Sequence, residues 1–314
     1  MRVVGVAHRT LTWPIEPRGA ARGMWSERTS VIVGVRCEGA TGLGEAAPLP
    51  SMSIDSIADA TAAFTDLAAC VPIAIDSPAH ATGVADRITA APAARFAVET
   101  ALLAALAQHA QTSIAALWSA IPQGELQSSV VVDNEDDARL AVEHGARCVK
   151  IKAQDPELVQ RIAAVIPGIR LRVDANRSWP RDSVVEWLAA LETLPIDYVE
   201  EPCIDAYELL ANRLPCRIAL DESLVALEPA KLARAVRSPD LAALILKPTL
   251  LGGFARCQEL AALAHRHGVA PIVSHALEGP IGFAACIELA RTIGADVPVG
   301  LAPHSALEHF FEVV

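Results

Sequence analysis

The sequence predicts an α/β protein in which an N-terminal α+β domain, residues 1–115, is followed by a parallel (β/α) barrel, residues 116–314. Three observations carry this prediction. The first third of the chain has β-rich runs and then helical runs, whereas short apolar strands and helices alternate from residue 128 onward. Eight strand-like runs in that second part suit a closed barrel better than an open doubly wound sheet. No GxGxxG, GxxxxGKS or GxxxxGKT motif is present, so a nucleotide-binding turn has no support.

The N-terminal domain is expected to contain two strands followed by two helices. The strands are predicted at residues 2–13 and 28–37, where β-branched and aromatic residues are frequent. Residues 39–50, GATGLGEAAPLP, are rich in glycine and proline and predict turns. Helices are predicted over residues 53–70 and 93–110, and the second has apolar residues on most faces, so we expect it to be buried.

The barrel domain is predicted from eight apolar runs. In chain order they are 128–134, 147–153, 169–176, 196–202, 216–223, 241–248, 269–275 and 297–303. In a (β/α) barrel the carboxyl ends of the strands meet at one mouth, which is where such folds keep their chemistry. Most of the runs end in charged or polar side chains, so residues far apart in sequence are expected to be neighbours there.

The composition favours a globular cytoplasmic protein. Hydrophobic residues make up 52% of the chain, and 26 basic against 37 acidic residues give a net charge of −11 without a basic block, so nucleic acid is not an expected partner. The seven cysteines form no CxxC pair, which argues against disulfides and structural zinc and fits a reducing cytosol. No signal peptide and no apolar run of about 18 residues is apparent, so no membrane partner is expected. The sequence does not indicate the oligomeric state.

Three acids close three consecutive strand-like runs, about one β/α unit apart: Asp174, Glu200 and Asp221. Taken singly, each of them is more simply explained as a helix N-cap or a surface acid. Together, three carboxylates directed at one axis would repel one another unless a cation lay among them. Mg²⁺ prefers such hard oxygen ligands, with room left for water and substrate.

Two lysines lie on one face of the second run, because residues i and i+2 of a strand point the same way. Lys150 and Lys152 therefore both face the barrel axis or both lie outside among the helices, where an isolated pair would reach solvent. The three acids favour the inward orientation, and Lys247, which ends the sixth run, would then face Lys152 across the mouth. Mutual repulsion and desolvation lower a lysine pKa, so Lys152 is expected to be a base that removes a proton next to a carboxylate.

Several neighbouring residues are candidates for supporting or substrate-binding roles. Arg172 shares the face of Asp174, although an exposed cation explains it equally well. Asn176 lies two residues beyond Asp174 and is expected to hydrogen-bond behind the metal site. Glu201 and Glu222 follow two of the acids and would point away from the metal, into a supporting or a solvated position.

The stretch SHALEGPIG, residues 274–282, ends the seventh run and begins a helix, so Ser274 and His275 lie at the mouth. Backbone N–H groups at a helix N-terminus bind anions, and here they are candidates for holding a substrate carboxylate. His275 is not expected to be the base of a His–Asp dyad, because Lys247 and not an acid ends the sixth run. A structural, hydrogen-bonded histidine is the preferred interpretation.

The motifs VKIKA, VDAN, VEEP, DES and LKPTLLGG, in this order, resemble the muconate-lactonizing subgroup of the enolase superfamily. GLGEAAPLP and ARFAVETALLAAL are similar to the capping domain of that family. The resemblance implies a modified TIM barrel with an N-terminal capping domain and a C-terminal segment that returns toward the cap. It also implies that Asp174, Glu200 and Asp221 bind Mg²⁺, with Mn²⁺ as a possible substitute, that Lys152 is the base and that Lys150 tunes it.

The resemblance further implies the type of reaction and its alternatives. Lys152 would remove an α-proton from a small carboxylate substrate and then protonate a departing hydroxyl, while Lys247 stabilises the enediolate from the opposite face. Two segments of the cap, residues 18–28 and 48–53, would close over the mouth. A racemase or epimerase of the same subgroup would use the same residues, with Lys247 as the second acid/base. A cycloisomerase, a sugar-acid dehydratase with histidine chemistry and a barrel without enzymatic activity are more distant alternatives.

Overall fold

The protein is described here by a computed structural model that covers residues 1–20, 23–119, 124–294 and 297–310. These residues form a four-stranded antiparallel sheet in the N-terminal part and a seven-stranded parallel sheet in the remainder. Helices cover both sheets. The predicted fold class, a (β/α) barrel with an N-terminal α+β cap, is confirmed.

The antiparallel sheet has the strand order β3-β2-β1-β4. Its strands are β1 Arg2–Ala20, β2 Gly23–Cys37, β3 Ala40–Ala46 and β4 Ile73–Ala74. Its helices are α1 Ile57–Ala69, α2 Pro78–Ile88, α3 Pro92–His109 and α4 Ile114–Trp118. Both predicted helices occur, and α3 is buried along most of its length, as its uniformly apolar sequence indicated. The predicted domain boundary at residue 115 falls within α4.

Strand β3 lies where the sequence predicted turns, and its glycines explain the difference. Cβ atoms on Gly42 and Gly44 would overlap carbonyl oxygens of α3, those of Ala101 and Ala97 respectively. The glycines therefore let a helix pack closely on the strand, a role that glycine also has within strands. A glycine-rich composition alone does not distinguish this role from a turn.

An alanine at Gly44 is expected to lower the free energy of unfolding by about 3 kcal/mol, because its Cβ would displace helix α3 from the sheet. Urea denaturation followed by circular dichroism measures the change. Gly34→Ala in β2 is a matched control, since a Cβ there would meet Leu43 Cδ2 at an ordinary 3.4 Å. Equal effects of the two substitutions would contradict the close approach of β3 and α3.

The parallel sheet follows the chain order from β5 to β11. Its strands are β5 Val130–Val132, β6 Cys148–Lys152, β7 Arg170–Asp174, β8 Ile196–Glu200, β9 Ile218–Leu220, β10 Leu241–Leu246 and β11 Ala270–Val273. Each coincides with one of the predicted runs. Because all seven strands are parallel, their carboxyl ends lie along one edge, the mouth of the barrel.

The eighth predicted run, residues 297–303, is not a regular strand in the structure. It makes two isolated parallel bridges, between Val299 and Ser128 and between Gly300 and Ser274, and so connects the two ends of the sheet. Pro298 and Pro303 have no N–H to donate to a ladder, which explains why the pairing stops after two residues. The prediction of eight strands is therefore corrected to seven strands and a bridging segment.

Helices cover the outer side of the parallel sheet. They are α5 Glu135–Glu143, α6 Pro156–Val165, α7 Val184–Ala189, α8 Glu222–Ala226, α9 Pro229–Ala235, α10 Pro248–Leu251, α11 Phe254–Arg266 and α12 Pro280–Ile293, with 3₁₀ turns at Ala206–Ala211 and Ser305–Leu307. Side-chain caps start two of them, since Asn134 accepts from the first turn of α5 and Asp155 from that of α6. Among the described residues, no helix combines the length and the apolar composition needed to cross a membrane.

The cap contacts the barrel through several buried side chains. Glu99 of α3 accepts hydrogen bonds from the backbone N–H groups of Phe254 and Ala255 at the start of α11. The segment after the eighth run returns to the cap, where the Trp13 indole donates to the Ala306 carbonyl at 2.8 Å and packs edge-on against Phe310. The cap is thereby held over the barrel from both sides.

Candidate active site

The three acids singled out in the sequence lie side by side at the mouth. Asp174 and Glu200 end β7 and β8 and are paired directly in the sheet register, and Asp221 follows β9. All three side chains are buried. Tyr198 and Ala219, two residues before Glu200 and Asp221, belong to one buried cluster on the same face and form a floor beneath the carboxylates.

Two ammonium groups lie among these carboxylates. The Lys150 Nζ donates to both oxygens of Glu200, at 2.9 and 2.8 Å, and lies 2.9 Å from Asp174 Oδ2. The Lys247 Nζ donates to Asp221 Oδ2. The mouth therefore contains a compact cluster of buried carboxylates and half-buried ammonium groups.

Lys152 is exposed and faces the same mouth. It is paired with Asp174 in the sheet register, and its charge contributes to lowering the Asp174 pKa, after the larger effects of burial, which raises it, and of Lys150. Val149 and Ile151, on the opposite face of β6, are fully buried in the main hydrophobic core. The strand alternation thus directs both lysines inward, and the outward alternative does not occur.

The pKa of Lys150 is not lowered, as mutual repulsion with Lys152 would lower it. Burial lowers the pKa of Lys150, but the attraction of Asp174 and Glu200 outweighs it and raises the pKa above its usual value. Burial raises the pKa of Glu200 to about 8, with the charge of Asp174 adding to the shift, and raises that of Asp221 to about 6. In this arrangement the carboxylates, not the second lysine, control the protonation of Lys150.

The chemistry of the donor set fits a hard divalent cation. Three buried carboxylates from adjacent strand ends are the ligands that Mg²⁺ prefers, and the Oε2 atom of neighbouring Glu222 is buried without a hydrogen-bond partner. The described part of the chain nevertheless has no three His, Cys, Asp or Glu side chains arranged to hold a metal ion. Asp174, Glu200 and Asp221 are drawn to the ammonium groups instead. Holding a cation would require these contacts to rearrange.

Glu201 supports the site from behind. Its carboxylate accepts from the backbone N–H groups of Asp221 and Ser223, at 2.9 and 2.8 Å, and from Arg177 Nε at 3.1 Å. The side chain is fully buried, so the solvated alternative is excluded. The backbone of Glu201 has a φ of 41°, a strained conformation for a residue with a side chain. Glu201 therefore fixes the position of Asp221 relative to β8.

Arg172 and Asn176 make different contacts from those expected. Arg172 is buried, not exposed, and its guanidinium contacts Asp197 at 3.5 Å and lies over the Tyr198 ring. A register shift next to Arg172 places both partners beside it, so this arginine packs below the carboxylates. For Asn176 it is the backbone N–H that donates to Asp174 Oδ1, at 3.1 Å.

Ser274 and His275 have structural contacts at the mouth. The Ser274 hydroxyl donates to the Gly300 carbonyl and so closes the barrel. The His275 ring accepts from the Leu277 N–H and stacks on His304, with ring centroids 4.1 Å apart. These contacts agree with the preferred interpretation of His275 as a hydrogen-bonded histidine.

The N-terminus of α12 is already occupied by a carboxylate of the protein. Glu45 of β3 accepts from the N–H groups of Gly279 and Gly282, at 2.7 and 2.9 Å. These are two of the amides that were expected to hold a substrate carboxylate, and that expectation is corrected. Glu45 was missed in the sequence, because a lone acid in a glycine-rich segment gives no signal of a partner 234 residues away.

The two expected lid segments differ in what the structure describes. Ala21 and Arg22 lie outside the described residues, as does the side chain of Arg18, and the rest of 18–28 belongs to β1 and β2. In the segment 48–53, Leu49 packs against Leu250 and Ala276 of the barrel. The segment 48–53 is therefore in contact with the mouth.

Lysine is rare in this chain, and most of its lysine residues lie at the mouth of the barrel. The sequence has four lysines, and Lys150, Lys152 and Lys247 belong to the cluster, whereas Lys231 is on the surface. The other 22 of the 26 lysine and arginine side chains are arginines, which stay protonated, whereas the pKa of a lysine shifts readily when its ammonium group is buried. This bias in composition is a signal of the site that the motifs alone did not use.

Fold and site together define a (β/α)-barrel enzyme that places acids and amines at the carboxyl ends of its strands. Family models agree: residues 3–118 match the mandelate racemase / muconate lactonizing enzyme N-terminal domain, and residues 133–310 match the enolase C-terminal domain-like family. The chain belongs to the enolase superfamily. The predicted resemblance is thereby confirmed.

Individual relatives extend this comparison. The o-succinylbenzoate synthase of Pectobacterium atrosepticum is 29% identical over 290 residues, which cover 87% of this chain and 82% of the relative, and that of Edwardsiella ictaluri is 28% identical over 289 residues, with the same coverage. A dipeptide epimerase from Methylococcus capsulatus, complexed with Mg and the dipeptide L-Arg-D-Lys, has a TM-score of 0.82 at 24% identity, covering 100% of this chain and 92% of the other. MenC from Desulfotalea psychrophila has a TM-score of 0.80 at 22% identity, covering 98% and 95%. Both structures share the fold.

Proposed function

We propose that the chain is an o-succinylbenzoate synthase. It removes water from a hydroxycyclohexadiene carboxylate that bears a succinyl group and yields the aromatic product, as a cytosolic step of menaquinone biosynthesis. The observation that carries the proposal is the cluster of three carboxylates and three lysines at one mouth. The curated relatives, which are o-succinylbenzoate synthases, indicate a lyase of the hydro-lyase type.

Asp174, Glu200 and Asp221 are proposed to hold Mg²⁺, with Mn²⁺ as a substitute. When bound, the ion supplies positive charge that stabilises the carboxylate of the substrate and the enediolate derived from it. Glu201 keeps Asp221 in place through its backbone N–H, and the Asn176 N–H does the same for one oxygen of Asp174. These backbone contacts orient the ligands.

Lys152 is proposed to act twice in the reaction. As a neutral amine it takes the proton next to the carboxylate, and the resulting ammonium group then protonates the departing hydroxyl. One amine suffices because proton and hydroxyl leave from the same side of the ring. Lys247, which directly follows β10, stabilises the negative charge of the enediolate without exchanging a proton. Lys150 sets the electrostatic environment next to Lys152.

A racemase or dipeptide epimerase is the second candidate, because Lys152 and Lys247 would then exchange protons on opposite faces of a substrate. The structural similarity to dipeptide epimerases supports the shared fold. The bridging segment 297–303, VPVGLAP, argues against an epimerase, since it lacks the Asp-x-Asp that would grip an amino group. The dehydration is therefore the first choice.

A direct assay distinguishes the two candidates. Purified protein is incubated with the hydroxycyclohexadiene carboxylate, with N-succinyl amino acids and with dipeptides, each with Mg²⁺, with Mn²⁺ and with EDTA. We expect Mg²⁺-dependent formation of the aromatic product, which EDTA abolishes and added Mg²⁺ restores. Turnover of the amino-acid substrates alone would refute the synthase and favour the second candidate.

A further inference from the structure

One buried guanidinium connects two segments that lie far apart in the sequence. Arg28 of β2 donates from Nη1 to the Pro48 carbonyl at 2.7 Å and from Nη2 to the Ala47 carbonyl. It also donates from Nε to the Leu277 carbonyl at 2.9 Å and from Nη2 to that of Ala276 at 3.1 Å. A single side chain thus joins the cap segment after β3 to the barrel segment after β11.

Both segments contribute to an apolar wall next to the candidate active site. Leu49, Leu250 and Ala276 are buried together, and Val225 and Leu277 pack on them half-buried. Leu250 lies three residues after Lys247, and Val225 lies four after Asp221. The wall therefore combines the cap with the short helices α8 and α10, which follow directly after Asp221 and Lys247.

Two buried carboxylates balance the charge of Arg28. Glu45 accepts from the Gly279 and Gly282 amides, and Glu278 accepts from the Ala276 N–H and the Thr249 hydroxyl. Burial lowers the pKa of Arg28, while the attraction of Glu278 and Glu45 opposes that shift. An uncharged side chain at position 28 would leave both acids buried without a cation, which is costly.

We propose that Arg28 is a positioning residue that holds the apolar wall in the shape required by the ring of the substrate. The inference rests on the proposed function, because it assigns the wall to the part of the substrate that does not react. Binding energy from such remote contacts places the reacting carbon against the base. Arg28 itself is covered by the two segments and does not touch the substrate.

Arginine is required for this role because its planar fork carries five N–H donors, which can reach four carbonyls of two loops at once. A lysine keeps the charge but has three donors on one nitrogen and cannot span both segments. Arg28→Lys therefore separates positioning from charge balance. We expect it to loosen the wall while the two carboxylates retain a cation.

The test compares steady-state kinetics and amide hydrogen exchange in the full chain with Mg²⁺. Arg28→Lys is expected to raise KM for the cyclohexadiene carboxylate about tenfold, to change kcat less than about threefold and to speed exchange in residues 47–53 and 276–282. Exchange in β9 should stay unchanged. Arg213→Lys is the matched control, because Arg213 pairs with Asp240 at the opposite end of the barrel and should leave KM and kcat unaltered.

Several outcomes would overturn the inference. If Arg28→Lys leaves both KM and hydrogen exchange unchanged, Arg28 does not position the wall. If it lowers kcat, raises KM and speeds exchange throughout the chain, its role is merely structural. If Arg28→Lys does not fold, Thr249→Val is tested instead, because it removes one hydrogen bond to Glu278. A higher KM with faster exchange in residues 276–282 supports the inference. No change in KM or exchange refutes it. If the wild type does not turn over the carboxylate, the proposed function fails, whereas the exchange data still decide whether Arg28 holds the two segments.

Discussion

Replacing Lys152 by alanine is expected to slow turnover of the cyclohexadiene carboxylate by about 10²-fold to 10⁴-fold, while Mg²⁺ binding persists. The reason is that the substitution removes the only proposed base. Lys150, the amine two residues away on the same face, is engaged by Asp174 and Glu200, and its raised pKa makes it a poor replacement. Single-turnover kinetics and isothermal titration with Mg²⁺ measure the two properties separately.

Lys231→Ala provides the matched control for this experiment. Lys231 is the one lysine outside the cluster, it is on the surface, and it lies over the Tyr207 ring. We expect its removal to leave turnover unaltered. Near-normal activity of the Lys152 variant would place the base on another residue, and a loss of Mg²⁺ binding would show that Lys152 acts on the ligands instead of the substrate.

Asp221→Asn is expected to weaken Mg²⁺ binding by at least about 100-fold and to reduce turnover at limiting Mg²⁺ accordingly. The substitution keeps the shape of the side chain but removes one of three anionic oxygen donors. It also removes the anion that pairs with the half-buried Lys247 ammonium group, so that group loses its ion-pair partner. Titration calorimetry measures the affinity for Mg²⁺, and turnover at saturating Mg²⁺ measures the activity that the variant retains.

Asp240→Asn tests whether the effect is specific to the mouth. Asp240 is equally buried and precedes β10, at the opposite end of the barrel, where it accepts from the Leu214 N–H. We expect this variant to lose some stability and to keep its Mg²⁺ affinity. Unchanged Mg²⁺ affinity in the Asp221 variant would remove that residue from the ligand set.

The strand ends could be predicted from the sequence because their signals are local. An apolar run that finishes in Asp174 or Glu200 marks a buried strand with a polar end, and parallel strands bring such ends together without any knowledge of the loops. The period of two along a strand places Lys150 and Lys152 on one face, and the three acids at the neighbouring strand ends favour the inward orientation. Seven of the eight predicted runs are strands for the same reason.

The remaining features depend on tertiary contacts that no local pattern encodes. The glycines of β3 predict turns, because glycine is frequent in turns. Their actual role, at Gly42 and Gly44, is to let a helix that is distant in the sequence pack closely on the strand. Arg28 in a predicted strand and Glu45 in a segment predicted to form turns look like ordinary charged residues, and only the folded structure shows that both are buried. The eighth run has the composition of a strand, and only its two prolines limit the pairing that it achieves.

The electrostatics of the cluster are also a tertiary property. From the sequence, Lys150 and Lys152 are expected to make each other harder to protonate. The structure places two carboxylates within hydrogen-bonding distance of the Lys150 Nζ, and their attraction reverses the direction of the pKa shift. The distances from the Lys150 Nζ to Asp174 and Glu200 depend on the side-chain conformations at three strand ends, which the sequence does not specify locally.

The scarcity of lysine makes the chemistry of this enzyme unusually easy to observe. Selective isotope labelling of lysine side chains would give four amine resonances in a protein of 314 residues, and three of them would come from the mouth. Lys231 would serve as the internal solvent-exposed reference. The protonation of each amine could then be followed spectroscopically while metal and substrate are added, without labels or probes that perturb the site.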